Sequence, residues 1–497
     1  MRYAQTLLIS LARLPSMSFF SNKKFSLPPG SALPLLVAGA FFMENLDATV
    51  IVTALPQMAK DFGVHPVDMN IGVSAYILTL TVFIPASGWI ANRFGARNVF
   101  SLALILFTLA SLLCSASDSL GTFTAARMLQ GFAGALMVPV GRLVVLKNTQ
   151  KSDLIRAIAT ITWPGLVAPI LGPPLGGFIT TYASWHWIFL LNLPLGVIAL
   201  MFSRKLIPQV EGQKGVPFDI TGFVLTGAAC LGLIFGLDMF NQGSINWKPV
   251  TMVGGAVIVG ALAVWHSGRA AYPLLPLTAL KIKSYAVTIY GGSLFRVAIG
   301  ALPFLLPLMF QLGYGMNAFD AGLLVLAVFA GNLAMKPFTS PILHRFRFKS
   351  IMLVNGLLNS ATIFACALLT PEVPAAITLL LLFASGMTRS MQFTALNTLA
   401  FSQVPAEQMS GANTLFNTAQ QLSTGLGIAI GALSLRIAEH FLPASAGMQT
   451  GTFHIAFIII GVFSLAGTLD SLTLDPTAGD EIRRKKESVP QPASSQK

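Results

Sequence analysis

Charge is what this sequence has least of. Only 10% of its 497 residues are Asp, Glu, Lys or Arg, against about 25% in a soluble globular chain. Hydrophobic residues make up 54%. This composition excludes a soluble enzyme, a nucleic-acid binder and a disordered protein. Cysteine is scarce as well. Cys114, Cys230 and Cys366 lie in or beside different apolar runs with no CxxC pair, which argues against a disulfide framework or a zinc site. The six histidines stand singly near segment ends, and HExxH and HxxxH spacings are absent, so no metal site or cofactor is expected. A cleavable leader is not expected either, because Arg13 interrupts the short run from Thr6 to Ala12.

What is present is a series of apolar runs, each near the ~20 residues that cross a bilayer as a helix. They predict spans at 32–54, 71–91, 98–117, 121–143, 158–181, 186–203, 218–238, 250–267, 285–310, 319–340, 350–369, 374–399, 412–434 and 452–472. The loops between them are too short for a soluble domain. The expected fold class is an all-α polytopic membrane protein. The net charge of +13 is therefore read by position. Of the 31 Lys and Arg, twenty-three fall on one side of this topology, three on the other (Lys60, Lys248, Arg436), and five inside or at the ends of spans. Positive loops stay cytoplasmic, so both termini are expected inside, which requires an even number of spans. Alternation of charge at every loop favours fourteen. Trp185, His186 and Trp187 fall in a short outer turn, where amphipathic rings anchor at the interface.

The turn between spans 2 and 3 reads Gly88-Trp89-Ile90-Ala91-Asn92-Arg93-Phe94-Gly95-Ala96-Arg97. Two glycines permit a tight turn, and the arginines can meet carbonyls at helix C-termini or a neighbouring carboxylate. This resembles the signature loop of the major facilitator superfamily, G-x-x-x-D-R-x-G-R-R/K, with Asn92 in place of the family's aspartate. The resemblance implies a gating role for Gly88, Asn92, Arg93, Gly95 and Arg97, with a weaker cytoplasmic latch because an amide cannot form the ion pair. Leu46 to Pro56 is similar to the L-D-x-T-I-V-N-x-A-L-P pattern of the fourteen-span drug:proton antiporters. Arg127 to Ala135 resembles R-x-x-Q-G-x-G-x-A, and Trp185 to Pro194 resembles W-x-W-I-F-x-I-N-x-P. Pro169, Gly172, Pro173, Gly176 and Gly177 fall in a run similar to the motif of exporters. The resemblance implies two six-helix bundles, 31–205 and 284–474, each with inverted repeats. A linker at 206–283 would carry the inserted spans 7 and 8. A basic extension at 1–30 and a disordered basic tail at 475–497 would flank them.

The residues themselves carry a compatible chemistry. Charges inside a bilayer usually face a cavity or a partner. Glu44 and Asp47 sit three apart on nearly one face of span 1, and two carboxylates so close in low dielectric should not both stay charged. Asp47 first, with Arg127 as its partner, and then Glu44 are the candidate proton-coupling groups. A static Asp47–Arg127 pair is the structural alternative. Arg296 and Arg389 are expected to face the central cavity and bind an anionic group or pair with acids. Asn45, Gln130, Gln311, Gln392, Asn397 and Gln420 are further cavity candidates. The small residues of the proline-glycine run predict span 5 packed closely at the interface of the halves, resisting leak. The function expected is proton-coupled export of amphipathic organic compounds or drugs across the inner membrane, with H+ as the coupled ion. The expected protein is a monomer in the lipid bilayer, without enzyme activity or nucleic-acid partner. A periplasmic adaptor protein is a candidate partner. The alternatives are a solute importer or facilitator on the same fold, or a non-transporting membrane receptor.

Overall fold

A computed structural model describes residues 32–213, 215–241, 247–441 and 450–483. The expected extension at 1–30 and most of the basic tail lie outside these residues. Fourteen helical segments stand where the apolar runs predict them, and no strand occurs among the described residues. They are α1 (Ala32–Phe62), α2 (Asn70–Phe83 continued by Ser87–Phe94), α3 (Ala96–Ser115), α4 (Leu120–Asn148), α5 (Leu154–Thr162 continued by Pro164–Tyr182), α6 (His186–Leu190 continued by Asn192–Leu206), α7 (Ile220–Asn241) and α8 (Trp247–Ser267). Then come α9 (Lys283–Leu308, ending in a π turn Met309–Gly313), α10 (Ala318–Ala334 continued by Lys336–Arg345), α11 (Phe348–Cys366), α12 (Ala375–Ser402), α13 (Met409–Phe441) and α14 (Thr450–Asp470). Eleven are long and apolar enough to cross a bilayer, and the pieces of α10, bent by 45°, make a twelfth. The other two are α5, broken at Trp163, and α12.

Local chemistry sets several of the boundaries. Ser119 caps α4 by accepting from the Thr122 amide, and Asn317 caps α10 by accepting from the Asp320 amide, each satisfying a donor that a helix start leaves open. Gly95, at φ 84°, separates α2 from α3 in a conformation that a side chain would strain.

Packing repeats between the two halves. In the first, α1 packs on α5 and α6, and α4 on α2 and α3. In the second, α9 packs on α13 and α14, and α12 on α10 and α11. α3 with α6 and α11 with α14 complete the match. The hairpin α7–α8 leans through α7 on α2 and on α13, one helix from each half. The molecule is thus a membrane-spanning helical bundle of two six-helix units with a central inserted pair. Hydrogen bonds join the halves on the side of the Gly88–Arg97 turn: Ser410 Oγ donates to the Gly88 carbonyl at 3.4 Å, and Asn413 Nδ2 to the Pro139 carbonyl at 2.9 Å. Lys151 pairs with Glu481 at 2.6 Å on the same side.

Two expectations change. Trp187 is 56% exposed, as an interface anchor should be, but Trp185 is buried and its Nε1 donates to Asp61 at 2.6 Å. The glycines of the exporter-like run face α1 of their own half. A Cβ on Gly172 would come 2.3 Å from Thr49 Oγ1, one on Gly176 would come 2.3 Å from Thr53 Oγ1, and Gly177 has nothing within 4 Å. α5 does touch α10 and α12 of the other half, but not through these contacts.

Candidate functional site

Asp47 lies on α1 where five helices meet. Its Oδ2 accepts from Arg127 Nη1 on α4 at 2.7 Å, and its Oδ1 accepts from Gln130 Nε2 and Asn192 Nδ2, each at 2.9 Å. Ser111 Oγ on α3 accepts from the same two amides, at 2.9 and 3.1 Å. Arg127 also donates to Gln130 Oε1 at 2.5 Å and stands 4.3 Å over the Tyr76 ring of α2. Asp47 is 2% exposed and Arg127 is fully buried. A buried ion pair needs hydrogen bonds beyond the pair itself, and here Gln130 of α4 and Asn192 of α6 supply them to the carboxylate. The predicted pair exists, but Asp47 does not line the cavity, and Gln130 belongs to this network rather than to the cavity wall.

Glu44, one turn earlier on α1, is placed differently. It lines a central cavity of about 390 Å3 between the halves, and its Oε2 is buried with no hydrogen-bond partner among the described residues. Gly134 on α4 leaves room for it: an added Cβ there would lie 3.5 Å from the Glu44 carboxyl carbon and 3.4 Å from the Tyr76 hydroxyl. Tyr76 therefore stands between the open carboxyl and the closed Asp47–Arg127 network.

Asn45, Arg296, Arg389 and Gln420 line the same cavity, as expected. Gln311, Gln392 and Asn397 do not. Gln311 sits in the π turn at the end of α9. Gln392 bonds to Asn355 and to the Met352 carbonyl, and Asn397 donates to the Phe393 carbonyl of its own helix at 2.6 Å. Arg142 and Lys336 line the cavity too, although the sequence singles out neither for it. Their signal was available: each is a basic residue within or at the end of a span, with no acid nearby in sequence.

The signature turn packs against two elements. A Cβ on Gly88 would fall 2.1 Å from Thr414 Oγ1, so this glycine sets the approach of α2 to α13. Arg97 donates to the Arg204 carbonyl in the last turn of α6, the contact expected of a cation at a helix C-terminus. The segment after α6 then crosses the turn. Gln213 N donates to the Asn92 carbonyl at 2.8 Å, and Trp89 Nε1 to the Val216 carbonyl at 3.2 Å. A Cβ on Gly212 would come 2.0 Å from the Arg93 carbonyl, and one on Gly95 would come 2.7 Å from the Val210 carbonyl. Asn92 lines a recess that Ser410 and Glu407 also border.

The family follows from comparison with known proteins. The model of the Major Facilitator Superfamily matches residues 37–428. The chain belongs to the major facilitator superfamily. Among its relatives, the multidrug resistance protein MdtD of Pectobacterium carotovorum is 36% identical over 427 residues, covering 85% of this chain and 90% of the relative. That of an Enterobacter species is 37% identical over 430 residues, covering 85% and 89%. The solved proton:xylose symporter XylE shares the fold at a TM-score of 0.64 and 13% identity, over 90% of this chain and 97% of the other. The protein is therefore a multi-pass membrane transporter and not an enzyme.

Proposed function

We propose that this superfamily member is a proton-coupled antiporter exporting amphipathic organic compounds, drugs among them, across the inner membrane, with both termini cytoplasmic. Glu44 carries the reading. A carboxyl on the wall of a central cavity, with an oxygen that has no hydrogen-bond partner among the described residues, can take up and give back a proton as the cavity changes sides. Asp47, saturated by Arg127, Gln130 and Asn192, is the fixed anion beside it. It holds Arg127 in place. The coupled proton thus sits on Glu44, and the Asp47–Arg127 pair positions it. The excess of basic residues in the loops on the side of the signature turn supports a cytoplasmic position for it, and the hydrogen bonds between the halves on that side then correspond to a carrier closed toward the cytoplasm. The names of the relatives support drugs as cargo.

Transport of a fluorescent substrate into everted vesicles under an imposed proton gradient tests the reading. Glu44→Gln should abolish gradient-driven uptake while leaving gradient-free exchange of substrate intact. Undiminished gradient-driven uptake by Glu44→Gln overturns it.

A further inference from the structure

The cavity wall carries four cations and one carboxyl. Arg142 comes from the first half, Arg296, Lys336 and Arg389 come from the second, and Glu44 is the sole acid of the wall among the described residues. None of the four cations has an ion-pair partner among the described residues. Arg296 is the most exacting case. It is 2% exposed, its Nη1 donates to the Thr288 carbonyl at 3.1 Å, and its Nε and Nη2 are buried without a hydrogen-bond partner. Its guanidinium stands 4.6 Å from the centre of the Phe416 ring, and that of Arg142 stands 5.4 Å from the same ring. Two like charges thus share one aromatic ring in a low-dielectric setting. Arg142 reaches Gln420 only at 3.5 Å, and Lys336 is held by the hydroxyls of Thr162 and Thr394, each at 3.2 Å. Arginine side chains at bilayer depth with unused N–H donors call for an acceptor that brings its own negative charge. A flat guanidinium suits carboxylate, sulfonate or phosphate oxygens. The rest of the wall includes Phe41, Ile299 and Phe393, which favour an apolar body.

We propose that the cavity binds amphipathic organic anions, the acidic group lying among Arg142, Arg296, Arg389 and Lys336 and so bridging the two halves. This deepens the transport reading above by naming its substrate class, and rests on it. An excess of wall cations over the single acid disfavours lipophilic cations, the opposite class of amphipathic drug.

Equilibrium binding to the detergent-purified full chain, followed by fluorescence anisotropy without any gradient, tests the class. The probes are two anions of different size, carboxyfluorescein and 7-hydroxycoumarin-3-carboxylate, and the cation ethidium. At least one anion should bind, and more weakly as salt rises. Ethidium should bind at least tenfold more weakly. Arg296→Gln and Arg389→Gln should each weaken the anion at least tenfold, with part of the loss recovered in Arg296→Lys and Arg389→Lys. Elution of each variant as wild type on size exclusion controls for folding. Failure of both anions to bind, tighter binding of ethidium, or anion affinity unchanged in both glutamine variants overturns the proposal. Loss of gradient-driven uptake alone, with anion binding intact, would count against proton coupling and leave the substrate class standing.

Discussion

At the scale of single residues, the contrast between Asp47 and Glu44 decides what each can do. Asp47 receives three hydrogen bonds from Arg127, Gln130 and Asn192, so neutralising it leaves a buried guanidinium unpaired. Removing one partner of such a pair costs about 3–5 kcal/mol, whereas removing both costs less. Asp47→Asn and Arg127→Gln are therefore each expected to lower thermal stability markedly, and the double variant to recover part of the loss. Tm values of the three purified proteins check this, and a double variant less stable than either single one would contradict it. The i, i+3 spacing of Glu44 and Asp47 and the motif residue Arg127 were legible in the sequence, because a charge inside an apolar run stands out. Ser111 and Asn192 were not. They are ordinary polar residues from other helices, and only the packing of α6 on α1 and of α3 on α4 and α6 brings Asn192 to the carboxylate and Ser111 to its amide partners.

At the scale of helices, the proline-glycine run of α5 is a packing device within its own half. Gly172 and Gly176 admit Thr49 and Thr53 of α1. The second half repeats the close approach between its own first and fifth helices: a Cβ on Gly427 of α13 would lie 2.4 Å from the Val297 carbonyl of α9. The run was legible as a close contact of small residues, but not its partner, since glycine records that something approaches and not what. Gly172→Leu should lower stability by about 1–3 kcal/mol through overpacking, and Gly177→Ala should leave it unchanged, as read by thermal unfolding. Equal effects of the two would contradict this geometry. The inserted hairpin has its own clamp. Asp219, just before α7, accepts from Gly222 N at 2.8 Å, Leu274 N at 3.1 Å and His266 Nε2 at 2.8 Å. Burial pushes its carboxyl up, but these three donors outweigh it and hold it below the ordinary 3.8. A depressed folded value means the clamp contributes fully above the unfolded value and is lost as pH falls through the folded one. The protection of the α7–α8 hairpin from hydrogen exchange, corrected for the intrinsic rate at each pH, should therefore fall below about pH 4, and Asp219→Asn should flatten that pH dependence.

At the scale of the molecule, most of the architecture was legible because bilayer thickness imposes a length on every apolar run. The two spans that fall short on length and hydropathy have physical causes: α12 carries Arg389 and a polar stretch that faces other helices, and α5 is broken at Trp163. The contacts of Val210, Gly212, Gln213 and Val216 with the signature turn left no trace in the sequence, since they are made through backbone carbonyls and amides and a close glycine. That turn is also where the two halves can part. Gly88 sits against Thr414 of α13, close to the bond from Ser410 to the Gly88 carbonyl. A methyl group at Gly88 would meet Thr414 Oγ1 at 2.1 Å, closer than real contacts allow, so the hydroxyl or the helix that carries it must shift. Gly88→Ala should therefore push α2 from α13 and open the halves on this side. A single cysteine at Asn45 on the cavity wall, in a background lacking Cys114, Cys230 and Cys366, should then react severalfold faster with a thiol reagent applied from the turn side. Thr414→Ala removes the hydroxyl that the new methyl strikes, so Gly88→Ala with Thr414→Ala should return labelling toward the Gly88 level. Faster labelling without rescue would locate the effect in α2 alone, and unchanged labelling in Gly88→Ala would mean that this contact does not hold the halves together.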